Sequence, residues 1–148
     1  MKLTSTDFGD NEPLPYASGY DQGSEAPRLD ISDVPPGTSS LALLVRDPDA
    51  PSGDYTHWIV WNIPPTITEL VADNLPAGVM QGTNDFGELG FSGPAPPSGT
   101  HHYHFVLYAL DNSPALPAGT KRAVFDQVIA NHVVAKTELV GLYSAPGT

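Results

Sequence analysis

The 148-residue chain contains no cysteine, which excludes disulfides, thiol nucleophiles and thiolate metal sites together. Positive charge is also scarce. Six Lys and Arg stand against 17 Asp and Glu, for a formal net charge of −11. A far field of that sign repels phosphate polymers and anionic membrane surfaces, so nucleic acid is excluded as a natural partner. No stretch approaches the roughly 20 apolar residues of a membrane span, and the segment Met1 to Asp7 lacks the apolar run of a secretory signal. The expectation is a cytoplasmic protein without membrane insertion. Internal repeats, heptads and a Gly-x-x-x-x-Gly-Lys phosphate cradle are absent as well.

What is present is turn chemistry. With 14 Gly and 16 Pro, long helices are ruled out and many short strands joined by tight turns are expected. The length is that of one domain, 1–148, and a hydrophobic share of 40% suffices for a core. Leu41-Ala42-Leu43-Leu44-Val45 reads as a buried strand stopped by Pro48 and Pro51. His57 to Ile63, rich in aromatic and β-branched residues, reads as a second strand ended by Pro64-Pro65. His101 to Leu110 reads as a third, with Tyr103, Phe105, Leu107 and Ala109 on one face and Val106, Tyr108 and Leu110 on the other. Gly82 to Gly99 reads as a long structured loop, while Thr66 to Asn74 stays ambiguous between strand and helix. From Arg122 to Val140 the apolar residues approximate a helical stripe closed by Gly141, so this segment is expected to be the one helix.

Several of these elements carry polar groups at their ends. Asp47 shares its face with Leu41, Leu43 and Val45, which puts a carboxylate at the rim of the core. Asp49 follows beyond a proline. The pair suits ligand binding, acid and base chemistry, or turn carboxylates that accept backbone N–H bonds. His57 shares parity with Ile59, Trp61 and Ile63, and His101 with Tyr103 and Phe105. Asp47, His57, His101 and Tyr103 all fall at strand ends beside two Pro-rich loops, and their convergence would form a small site for an anion bearing a proton or a neutralising amine. Other readings stand beside it. His102 and His104, two apart on one strand face, have the spacing of two zinc ligands. Gly90-Phe91-Ser92-Gly93 is one residue short of a nucleophile elbow and lies in a loop. A glycosidase-type carboxylate pair needs a separation that sequence cannot supply.

The run Ser40 to Pro51 with its Asp47-Pro48-Asp49, then His57-Trp58, then Gly93-Pro94-Ala95-Pro96-Pro97-Ser98-Gly99 and His101-His102-Tyr103-His104-Phe105, closely resembles the phosphatidylethanolamine-binding protein family. It is most similar to the short bacterial and archaeal branch called Raf kinase inhibitor-like. The resemblance implies a mainly β protein, an antiparallel β-sandwich with a few short peripheral helices, one near the C-terminus. It implies an anion pocket built from Asp47, Asp49, Pro51, His57, the loop residues Gly93, Ala95 and Pro96, and His101 and Tyr103. Neither a metal nor a cofactor is implied. The function implied is binding of phosphate, a phosphorylated head group or a carboxylate, without catalysis and with a regulatory role open. The alternatives are an interaction protein of the kinase- or protease-inhibitor type, and an acid–base enzyme using Asp47 and His57. The resemblance admits a homodimer, and the plain alternative is a monomer.

Three departures distinguish this chain. His102 stands where the family usually has Arg, which removes a fixed positive charge. Phe91 stands where Tyr is common, which is expected to remove a hydroxyl beside the pocket. Asp30-Ile31 stands where a Trp often follows the Pro-x-Leu segment.

Overall fold

The structure is a computed structural model that describes residues 1–148. Its elements are β1 (Lys2–Thr4), β2 (Glu12–Pro13), β3 (Leu29–Ser32), β4 (Ser40–Asp47), β5 (Tyr55–Ile63), β6 (Glu69–Leu70), β7 (Met80–Gln81), β8 (Thr100–Leu110), α1 (Arg122–Ile129) and β9 (Val133–Ser144). The strands form two sheets, β1-β3-β6 and β2-β9-β8-β4-β5-β7. All pairings are antiparallel except that of the short edge strand β2 with β9. No helix is long and apolar enough to cross a membrane.

Alternation along the long strands creates two apolar layers. Leu41, Leu43, Val45, Tyr103, Phe105, Leu107 and Ala109 point at the small sheet, where Leu3, Leu29, Ile31 and Leu70 complete the main core. The opposite parity, Ala42, Leu44, Val106 and Leu110, packs beneath Phe125 and Ile129 of α1. The central strands are therefore apolar on both faces because each face has a cover.

β5 breaks simple parity twice. Between Val45↔Trp58 and Arg46↔Thr56 the register shifts, leaving His57 as the extra residue of a β-bulge. Its ring lies 5.2 Å from that of Tyr103, on the main-core side, and away from the layer that holds Ile59 and Trp61. The parity that grouped His57 with Ile59 and Trp61 is thus overturned by the bulge. A second shift falls between Leu41 and Leu43, opposite Asn62, whose φ of 57° marks a left-handed kink. That kink returns Ile63 to the main core although Trp61 faces the helix.

The helical reading of Arg122 to Val140 holds only as far as Ile129. His132 donates its backbone N–H to the Ile129 carbonyl, and its own carbonyl accepts from Asp111, so the chain turns back onto the end of β8. Val133 to Ser144 then runs as β9 in a ladder spanning the whole of β8. Long-range pairing overrides the local period here, since a run such as Val133-Val134-Ala135-Lys136-Thr137 suits a pleated surface well. Gly141 is no helix stop. It sits opposite Tyr103, and a Cβ there would stand 2.5 Å from Leu14 Cδ2 and 3.0 Å from Phe8 Cε2. The ambiguous Thr66 to Asn74 resolves into β6 and a 3-10 turn at Ala72–Asn74.

Candidate functional site

β4, β5 and β8 are neighbours in the large sheet, with β4 in the middle, so the C-terminal end of β4 meets the N-terminal ends of the other two. Antiparallel pairing brings Asp47, His101 and Tyr103 together, and the β-bulge turns His57 to the same place. They line a cavity of about 230 Å³, whose wall is completed by Ala50, Pro51, Ser52, Tyr55, Phe86, Ala95 and Pro97. No Lys or Arg is among these residues.

Asp47 is 2% exposed, and both of its oxygens are engaged. Oδ2 accepts from His101 Nδ1 at 2.6 Å, and Oδ1 accepts the Asp49 backbone N–H at 2.8 Å. The second bond is the turn reading of the Asp-Pro-Asp segment, and it coexists with a place in the cavity. His57 sits opposite. Its Nδ1 lies 2.7 Å from the Ser92 carbonyl, which can only accept, so Nδ1 carries the proton and Nε2 is the free ring nitrogen. Burial holds the His57 pKa below the usual imidazole value, more strongly than the Ser92 carbonyl and the Asp47 charge raise it. The ring is neutral in a neutral solution.

Tyr103 is 1% exposed, and its hydroxyl makes no hydrogen bond of good geometry, although the Asp47 carboxylate lies close enough to act on it. Desolvation, then the charge of Asp47, pushes its pKa far above that of a free phenol, so it remains an O–H donor. A buried unpartnered hydroxyl costs stability unless something occupies the space beside it. The mouth of the cavity is aromatic. Phe86 stacks on Tyr20 at 4.3 Å and meets Tyr55 edge-on at 5.1 Å and His57 at 5.6 Å.

Of the residues expected from sequence, Asp47, Pro51, His57, Ala95, His101 and Tyr103 line the cavity, and Asp49, Gly93 and Pro96 do not. Asp49 points outward, where its Oδ2 accepts both the backbone N–H and the Nδ1–H of His102, at 2.8 and 2.7 Å. Those bonds lower the pKa of Asp49. Gly93 is a packing residue, because a Cβ there would collide with the Ser18 carbonyl, and its N–H donates to Ser24 Oγ at 3.0 Å. Pro96 faces a neighbouring groove with Tyr16 and Tyr143.

Sequence reasoning placed Tyr55 and Phe86 in loops and did not single them out as site residues. The signal available was position. Phe86 lies in the Gly-rich segment between Gly82 and Gly87, where no strand could claim it.

The other readings meet specific contacts. His102 is bonded to Asp49 and His104 to Glu138, and no group of three or more His, Cys, Asp or Glu side chains is placed to hold a metal ion. Ser92 is buried, donates to Glu88 Oε1 at 2.6 Å and accepts from Asn84 Nδ2 at 2.8 Å, so it is a structural hydroxyl. Phe91 packs edge-on against Trp58 at 5.6 Å and is not part of the cavity wall, which corrects the expectation of a lost hydroxyl beside the pocket. Ile31 occupies the main core.

Comparison with known proteins agrees with this architecture. Residues 4–144 match the family described as Phosphatidylethanolamine-binding protein. A UPF0098 protein of Methanothermobacter thermautotrophicus is 42% identical, over 97% of this chain and 98% of its own length. The UPF0098 protein PH1269 of Pyrococcus horikoshii is also 42% identical, over 97% of this chain and 76% of its own. Among solved structures, YbcL of Escherichia coli, described as a member of the mammalian PEBP family, superposes with a TM-score of 0.89 at 34% identity, covering 97% of each chain.

Proposed function

The chain belongs to the phosphatidylethanolamine-binding protein family, and on that premise we propose that the cavity at the ends of β4, β5 and β8 binds a small anion such as phosphate, a phosphorylated head group or a carboxylate. The observation that carries this reading is the Tyr103 hydroxyl, a neutral donor buried without a partner at the cavity wall. A ligand oxygen accepting from it would remove the cost of the unmade bond. Ala95 lies on the same wall, and its N–H, which makes no bond within the chain, would be a second donor if it turns to the ligand. Because the net charge of −11 opposes anions at long range, binding rests on such local donors.

The reading is of a site that binds, with no nucleophile prepared for covalent chemistry. The hydroxyls on the wall belong to Ser52, Tyr55 and Tyr103, and none is hydrogen-bonded to a base that would activate it. The ligand would touch the loops after β4 and before β8, so occupancy alters the surface those loops present. That is a physical route to a regulatory role.

Thermal unfolding of the wild type and of His57→Ala, with and without phosphate, tests the site. A ligand at a hundred times its Kd adds about 2.7 kcal/mol to stability. Stabilisation in the wild type that disappears in the variant supports the proposal, and none in the wild type up to tens of millimolar phosphate removes it.

A further inference from the structure

The polar groups around the cavity are unequally divided between acceptors and donors. Asp47 offers carboxylate lone pairs only. His57 has committed its proton to Ser92 and offers Nε2 as a lone pair. His101, the other basic side chain on the wall, has committed its Nδ1–H to Asp47. Against these stand the Tyr103 O–H and the Ala95 N–H. No Lys or Arg redresses the balance. The nearby Arg46 and Arg122 guanidiniums both rest on Asp54, at 3.1 and 3.0 Å, and the position next to Tyr103 holds His102, which is turned away onto Asp49. The further carboxylate behind β5, Asp85, accepts the Thr56 N–H at 2.7 Å and adds negative charge near His57.

An oxyanion stripped of protons would bring lone pairs against Asp47 and His57 with no counter-charge to hold it. An oxyanion that retains an acidic O–H turns one of those contacts into a charge-assisted hydrogen bond, while its remaining oxygens accept from Tyr103 and Ala95. Resting on the anion-site reading above, we propose that this cavity selects its ligand by the ligand's own proton. It narrows the anions named above to oxyanions that carry an acidic hydroxyl, such as inorganic phosphate and phosphomonoesters, and rejects those that carry none, such as sulfate, phosphodiesters and ionised carboxylates. Asp47 is the residue that reads the proton. An intact phospholipid head group, being a phosphodiester, falls on the rejected side.

The test is calorimetric titration of the wild-type protein with inorganic phosphate, sulfate and dimethyl phosphate at pH 7 and constant ionic strength. Phosphate and sulfate are both tetrahedral, so shape is held constant while the proton differs, and dimethyl phosphate carries one negative charge and no proton. Phosphate is expected to bind at least about tenfold more tightly than either, the difference between a charge-assisted bond and an opposed pair of acceptors. Asp47→Asn supplies an N–H where the carboxylate stood, and should shift the phosphate-to-sulfate ratio about tenfold toward sulfate. Sulfate binding within twofold of phosphate in the wild type overturns the proton-selection proposal and leaves the anion site standing. A ratio unchanged in a folded Asp47→Asn overturns the role of Asp47. If none of the three anions binds, the anion-site reading itself falls and this proposal with it.

Discussion

His101 on β8 and Asp47 at the end of β4 are 54 residues apart and share a hydrogen bond of 2.6 Å between two buried side chains. The bond lies across adjacent strands, so it fixes the imidazole and closes the base of the cavity in one contact. His101→Ala leaves the carboxylate buried with only the Asp49 N–H to satisfy it, which should cost about 1–3 kcal/mol in urea unfolding. His101→Gln, which restores an N–H donor, should recover part of that loss. Equal unfolding midpoints for wild type and His101→Ala would show that the pair contributes nothing to the fold.

The depressed pKa of His57 makes a second expectation, about pH. The unfolded chain takes up a proton at this imidazole near pH 6.5, whereas the buried folded ring resists it to lower pH. Between those two values the unfolded state binds more protons, so stability rises with pH through the window. The contribution is complete above about pH 6.5 and is lost as the pH falls below it. His57→Gln should flatten the stability profile below about pH 6.5 while leaving the profile above pH 7 parallel to that of the wild type. A wild-type profile with no slope in that window would contradict the burial of a neutral ring. Asp49, whose pKa is also lowered, acts in the same direction, but its contribution is lost only as the pH falls through the carboxylate range.

Gly141 offers a direct check on the C-terminal strand. In a helix an exposed Gly→Ala change stabilises, by about 1 kcal/mol, whereas in β9 the new methyl meets Leu14 and Phe8. Gly141→Ala should therefore lower stability by about 1–3 kcal/mol, the range for overpacking a formed core. A rise in Tm on this substitution would be incompatible with the Gly141↔Tyr103 register.

The residues that misled the sequence reading show what a local pattern can and cannot carry. β4 and β8 were legible because their two faces have different covers and their alternation is unbroken, from Leu41 to Asp47 and from His101 to Leu110. β9 was not, because Val128, Ile129, His132 and Val133 continue a helical stripe into a segment whose conformation is decided by its ladder with β8. The strands of the small sheet, two to four residues each, have no period to read. At the site, Asp47, His57, His101 and Tyr103 were found as polar groups at strand ends, and the placement of three of them followed from parity. His57 reached the same cavity by a bulge that parity could not foresee.

Tyr103 separates function from stability most cleanly. Its hydroxyl makes no bond within the chain, so Tyr103→Phe removes a buried unmet donor and leaves the ring packed against His57 and His101. The unliganded variant should be as stable as the wild type or more so, by up to about 1 kcal/mol. Phosphate binding should instead weaken by about tenfold, since a hydrogen bond to a charged acceptor contributes about 1.5–3 kcal/mol. Tm and titration on the same sample read the two effects independently. A variant that loses stability and keeps its affinity would mean that the hydroxyl serves the fold, and the anion would have to be held from the His57 and Ala95 side of the cavity alone.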